Sequence, residues 1–127
     1  MRVILVRHAE AAPGEPDELR PLTAEGRAAA RALGAELAAV EPDAVVSSPL
    51  LRAWETARSI ADASGLHAET DERLAPGAIA DDLRAAVADR GETVIAVGHQ
   101  PDFGVMVLEL SGRAVAFPPG GFHEVEL

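Results

Sequence analysis

Val3-Ile4-Leu5-Val6-Arg7-His8-Ala9-Glu10 is the stretch that decides the fold. Four apolar residues, three of them β-branched, stop abruptly at a cation and an imidazole. A short apolar run bounded by polar residues reads as a buried strand. In an open α/β sheet, ligands bind beyond the carboxyl ends of such strands. Arg7 and His8 therefore fall where a site is expected. Thr93-Val94-Ile95-Ala96-Val97-Gly98-His99 repeats the pattern and ends on a second histidine.

Outward from the first strand, Ala11 to Pro21 is Pro-rich and polar, which predicts a loop beside His8. Thr23 is placed to cap a helix over 24–40, with Ala30, Leu33, Leu37 and Val40 forming its apolar stripe and Pro42 ending it. Asp43 to Ser47 predicts a second strand. Ser48 and Pro49 follow as N-cap and first residue of a helix reaching Gly65, which puts Arg52 in its first turn. Leu66 to Glu69 predicts a short strand, and Asp71 to Gly77 a loop. Ile79, Leu83 and Val87 mark a third helix. Pro101 opens a fourth, through Phe103, Met106, Val107 and Leu110 to Gly112. Arg113–Phe117 and Phe122–Leu127 read as edge strands joined in a hairpin by Pro118-Pro119-Gly120-Gly121. Strands alternating with helices predict a single-domain, three-layer α/β/α fold over residues 1–127, with a mainly parallel sheet.

Composition narrows the function. The chain has 127 residues, 48% hydrophobic and only 3% aromatic, so Val, Leu, Ile and Ala must build the core. With no cysteine, disulfides, thiolate zinc sites and cysteine nucleophiles are excluded. A net charge of −10 argues against nucleic acid or an anionic membrane as partner. Every basic residue is Arg, which removes lysine chemistry and leaves Arg, His and backbone N–H to bind any phosphate. No apolar run approaches the ~18 residues of a membrane helix, and the N-terminus lacks a signal peptide's apolar region. These features predict a soluble, cytoplasmic monomer.

Three strand ends carry candidate groups: Arg7 and His8, then Ser48 and Arg52, then Gly98 and His99. If the strands are neighbours, two guanidinium groups and two imidazoles share one crevice with helix N-termini. Such a set suits a phosphoryl group. Arg cannot act as a base, so the nucleophilic or acid–base role falls to histidine.

Val-Arg-His-Ala-Glu after a strand resembles the Arg-His-Gly signature of the histidine phosphatase (phosphoglycerate mutase-like) superfamily. Arg20-Pro21-Leu22-Thr23-Ala24-Glu25-Gly26, Ser47-Ser48-Pro49-Leu50-Leu51-Arg52-Ala53-Trp54-Glu55-Thr56-Ala57 and Val97-Gly98-His99-Gln100-Pro101 resemble its later motifs, in order. The short length is most similar to the phosphohistidine phosphatases of the SixA type. The resemblance implies that His8 is the nucleophile and forms a phosphohistidine. It implies that Arg7, Arg52 and His99 bind the phosphoryl oxygens, and that Arg20 lies at the pocket edge. Ser48 and Gly98 are further substrate-binding candidates. Neither a metal nor any other cofactor is expected, and the substrate is a phosphorylated protein or a small phosphorylated molecule.

Two departures from that family's pattern stand out. Ala9 replaces the usual glycine, a small-for-small change. Arg73-Leu74-Ala75-Pro76-Gly77 lacks the carboxylate that many ester-cleaving members use as general acid. Glu10, Asp17, Asp71 and Glu72 are the substitutes within reach. The competing expectations are a phosphomonoesterase using one of those acids, and a phosphate-binding module without turnover. A metal hydrolase is disfavoured, because the four histidines form no metal-ligand pair and Arg flanks the site.

Overall fold

The computed structural model describes residues 1–127. Five strands and four helices alternate along the chain. The strands are β1 (Arg2–Arg7), β2 (Ala44–Ser47), β3 (Ala68–Thr70), β4 (Thr93–Gly98) and β5 (Phe122–Glu126). The helices are α1 (Ala24–Leu37), α2 (Leu51–Ala63), α3 (Ala80–Val87) and α4 (Asp102–Ser111). The sheet order is β3-β2-β4-β1-β5. All neighbours run parallel except β5, which pairs antiparallel with β1.

Strand side chains alternate between faces, and the core divides accordingly. Val3, Leu5, Val46, Val94 and Ala96 pack with Leu83, Phe103 and Met106 of α3 and α4. Ile4, Val6, Val45, Ile95 and Val97 pack with Leu33, Leu37, Ala57 and Ile60 of α1 and α2. Both faces are covered, which is why β1 and β4 are apolar without interruption. The helix after β1 lies on one face and the helix after β4 on the other. Adjacent strands that diverge in this way open a crevice at their carboxyl ends. Arg7 pairs with Gly98 across that end, so His8 and His99 emerge side by side.

Thr23 caps α1 as expected, accepting from Gly26 N, and a 3-10 turn over Ala38–Val40 completes that helical region. Ser48 does not cap α2. The helix starts at Leu51, and Leu50, its N-cap, has no side-chain cap. Ser48 lies between β2 and the helix, with its N–H donating to Val97 O at 2.9 Å and its hydroxyl oxygen shared between Leu50 N and His99 Nε2. Gly65 does end α2: at φ 69° it lets Leu66 N reach Ala61 O and Gly65 N reach Asp62 O. Leu66 belongs to that cap, so β3 begins only at Ala68.

The expected C-terminal hairpin does not form. Residues 113–117 have no strand partner, and β5 pairs with β1 instead, Leu5 opposite His123. The open side of β1 accepts a strand that buries Val125. Residues 113–117 instead run back as a strap, held by Arg113 Nη2 donating to Glu124 O and by buried Phe117.

Candidate active site

His8 leaves the end of β1 with its backbone N–H donating to Gly98 O at 3.1 Å. Its Nδ1 lies 2.8 Å from Ala9 O. A carbonyl can only accept, so Nδ1 carries the proton, and in the neutral ring Nε2 keeps its lone pair. Burial holds the His8 pKa below the usual imidazole value, and the Arg52, Arg7 and Arg20 charges add to the effect, outweighing the Ala9 hydrogen bond. The neutral, nucleophilic form is thus favoured.

The chain beyond His8 is braced from two helices. Ala9 is buried with Leu22 and Ala30, and its N–H donates to Thr56 Oγ1 at 3.1 Å. Thr23 N donates to Glu10 O, and Thr23 Oγ1 sits 2.8 Å from Glu10 Oε1. Gly26 rests against the Glu10 backbone so closely that any side chain there would collide with it.

His99 is 5% exposed, with its ring centroid 5.3 Å from that of His8. Its Nε2 lies 2.7 Å from Ser48 Oγ. Ser48 is fully buried, and its oxygen already accepts from Leu50 N. The hydroxyl proton therefore needs an acceptor, which neutral Nε2 provides, and this puts the His99 proton on Nδ1. Burial first, then the charges of His8 and Arg52, lower the His99 pKa to about 4. His99 is a neutral hydrogen-bond donor at physiological pH, not a cation.

Arg52, 7% exposed, projects from the first turn of α2. Its Nη1 donates to Asp17 O at 2.8 Å and its Nη2 to Asp17 Oδ2 at 3.1 Å. Arg20 reaches the same carboxylate, Nη1 to Oδ1 at 3.0 Å, and donates through Nε to Ala12 O. Arg7 Nη1 donates to Phe117 O at 2.9 Å, and Arg7 Nε is buried with no acceptor in the protein.

Gly98 has a packing reason. A Cβ there would lie 2.5 Å from the Phe103 ring. Of the four acid candidates, Asp17 is held ionised by Arg20 and Arg52, and Asp71 by Arg73 and Arg90. Glu10 is exposed and engaged with Thr23, and Glu72 is exposed on the turn after β3. No group of three or more His, Asp or Glu is arranged to hold a metal ion.

His8, Arg7, Arg52, Ser48 and His99 thus cluster beyond the carboxyl ends of β1, β2 and β4, with Arg20 joined to Arg52 through Asp17. Sequence reasoning did not assign Thr56, the Phe117 carbonyl, or the Asp17 bridge to Arg52. Thr56 is one helical turn beyond Arg52, and that spacing was its available signal. Its hydroxyl donates to Arg52 O at 2.8 Å. The arrangement places a neutral imidazole with a free Nε2 lone pair beside guanidinium donors, groups of the kind that in-line attack on phosphorus requires.

The sequence model of the histidine phosphatase superfamily (branch 1) matches residues 3–78, which include Arg7, His8, Ser48 and Arg52 but not His99. A search of curated proteins finds no significant match. Among solved structures, the protein histidine phosphatase SixA in complex with tungstate is 29% identical, with a TM-score of 0.87, covering 100% of this chain and 88% of that one. A SixA-like protein from Agrobacterium tumefaciens is 28% identical, with a TM-score of 0.81 and coverages of 97% and 89%. A mycobacterial glucosyl-3-phosphoglycerate phosphatase, 18% identical at a TM-score of 0.75, covers 97% of this chain and 88% of its own; it shares the fold. With more than half of its length matched by the family's sequence model, the chain belongs to the histidine phosphatase superfamily, and its activity is that of a phosphatase hydrolase.

Proposed function

We propose that this protein is a phosphohistidine phosphatase acting through a covalent phosphohistidine on His8, without a metal. The observation that carries the reading is the Nδ1–H of His8 fixed on Ala9 O, which leaves the Nε2 lone pair free beside Arg7 and Arg52. Nε2 attacks phosphorus in line as the P–N bond to the substrate imidazole breaks. That leaving imidazole takes a proton from solvent. Water then attacks the phosphoenzyme, the Nε2–P bond breaks, and inorganic phosphate departs. Arg7, Arg52 and the Nδ1–H of His99 stabilise the charge spread over the phosphoryl oxygens. The buried Arg7 Nε gains its missing acceptor when such an oxygen is bound.

Preference for P–N bonds follows from the acids. An alkoxide leaves poorly without a proton donor, worth about 10²–10⁴ in rate. Asp17 and Asp71 are held ionised by their arginines and serve badly as acids. Imidazole titrates near neutrality and takes its proton from water. The two SixA structures, both at least 28% identical and of similar length, support the same substrate class, a phosphorylated protein.

Two measurements test this. Acid-labile, base-stable label should appear on the wild-type protein during turnover and vanish in His8→Ala. Rates plotted against leaving-group pKa should fall steeply for phosphate esters, with phosphohistidine well above the line. A flat ester series, abolished by changing Glu10, Asp17 or Glu72 to its amide, would establish a phosphomonoesterase instead. Absence of any turnover alongside tight phosphate binding would leave a binding module.

A further inference from the structure

The guanidinium fork of Arg52 is already occupied. Two of its nitrogens bond to one residue, Nη1 to Asp17 O and Nη2 to Asp17 Oδ2, at 2.8 and 3.1 Å. The other oxygen of the same carboxylate bonds Arg20. A planar, two-oxygen anion spanning Arg52 and Arg20 has the shape and charge of one edge of a phosphoryl group. It is also the only carboxylate paired with either arginine. Asp17 sits on a short 3-10 turn in the loop that follows His8, and its side chain is 60% exposed. It is therefore free to swing out, unlike the buried Arg52 it contacts.

Taking the phosphoryl site to be as proposed above, we infer that Asp17 is a tethered internal anion that competes with phosphate for Arg52 and Arg20. Substrate or product takes the fork only when the Asp17 carboxylate releases it. The same carboxylate refills the fork as phosphate leaves. A competitor of this kind weakens ground-state binding of every oxyanion, product included. Weaker product binding favours turnover over product retention. The apparent affinity for an oxyanion is scaled down by the fraction of molecules with the fork free. Retention of the backbone contact, Asp17 O to Arg52 Nη1, keeps the guanidinium aimed while the side chain exchanges.

The test uses the whole protein, with tungstate and inorganic phosphate as probes in calorimetric titrations. Asp17→Asn keeps an acceptor of the same shape and removes the charge. Asp17→Ala removes both. Competition predicts that both variants bind tungstate more tightly than wild type, on the order of tenfold if the fork is free about a tenth of the time. Inhibition of turnover by inorganic phosphate should strengthen by the same factor. If Asp17 merely braces Arg52, Asp17→Ala weakens tungstate binding while Asp17→Asn leaves it unchanged, and the inference is overturned. Arg52→Ala separates this from the site assignment. Wild-type binding that does not depend on Arg52 means that the phosphoryl site itself is misplaced. Arg52-dependent binding without a gain in either Asp17 variant means that only the competition is wrong.

Discussion

At the scale of single residues, the site is tuned by where protons sit. Burial and three guanidinium charges hold the His8 pKa below 6.5. On the proposed mechanism attack requires the neutral ring, so activity should fall as pH drops through that lowered value and persist below the pH at which a free imidazole half-protonates. NMR titration of the His8 imidazole should therefore give a midpoint under 6.5. In Arg52→Ala, which removes a positive neighbour, the midpoint should move upward. A wild-type midpoint at or above 6.5 would contradict the electrostatics described. Arg7, His8 and His99 were legible in the sequence because apolar runs end on them, and Arg52 because Ser48-Pro49 announced a helix, which in fact begins two residues after Pro49, at Leu51. Asp17 as a partner of Arg52, and the Phe117 carbonyl that holds Arg7, were not. Both contacts come from irregular segments, whose spatial neighbours no periodicity encodes.

At the scale of elements, the sheet shows what patterning can and cannot specify. The apolar runs of β1 and β4 announce strands buried on both faces, and the order of elements follows from punctuation by Thr23, Pro49, Gly65, Pro101 and Gly112. Alternation in the last fifteen residues announced strands but not their partner. Pairing of β5 with β1 rather than with 113–117 depends on which edge is open, a property of the assembled sheet. Close packing behind the site is similarly a tertiary fact. Gly98 at the end of β4 lies under Phe103 of α4, and a methyl group there would sit 2.5 Å from the ring. Gly98→Ala should cost about 1–3 kcal/mol, as overpacked cores do. Urea denaturation should show a lower midpoint, and Gly98→Ala combined with Phe103→Leu should recover much of the loss. An unchanged midpoint in the single variant would mean that the glycine answers some other need.

For the molecule as a whole, acid is the expected weakness. His99 has a pKa of about 4 in the folded protein, against about 6.5 when unfolded. Across that window the unfolded chain holds a proton that the folded one refuses, so stability decreases as pH falls, by up to roughly 3 kcal/mol. Asp17, Asp71 and Glu124 act in the same direction at lower pH. Their folded pKa values are depressed, and the stability they contribute is lost as pH falls through those values. Urea midpoints should drop clearly between pH 7 and pH 5, and less in His99→Asn. Equal midpoints at both pH values in the wild type would remove His99 as the cause. No helix is long and apolar enough to cross a membrane.

The position of β1 between β4 and β5 has a consequence for motion. Its backbone is laddered on both sides over most of its length, so its amides are released only when the sheet itself opens. His8 directly follows this strand, and its own N–H donates to Gly98 O, so its backbone position is set by the sheet. The segment between His8 and α1 closes on itself through an isolated bridge, Ala11 to Leu22, and the Arg20 Nε contact to Ala12 O, and it is tied to α2 through the side chains of Arg52, Glu55 and Thr56. His8 thus stands at the end of a strand laddered on both sides, and the exposed stretch over residues 13–19 borders it.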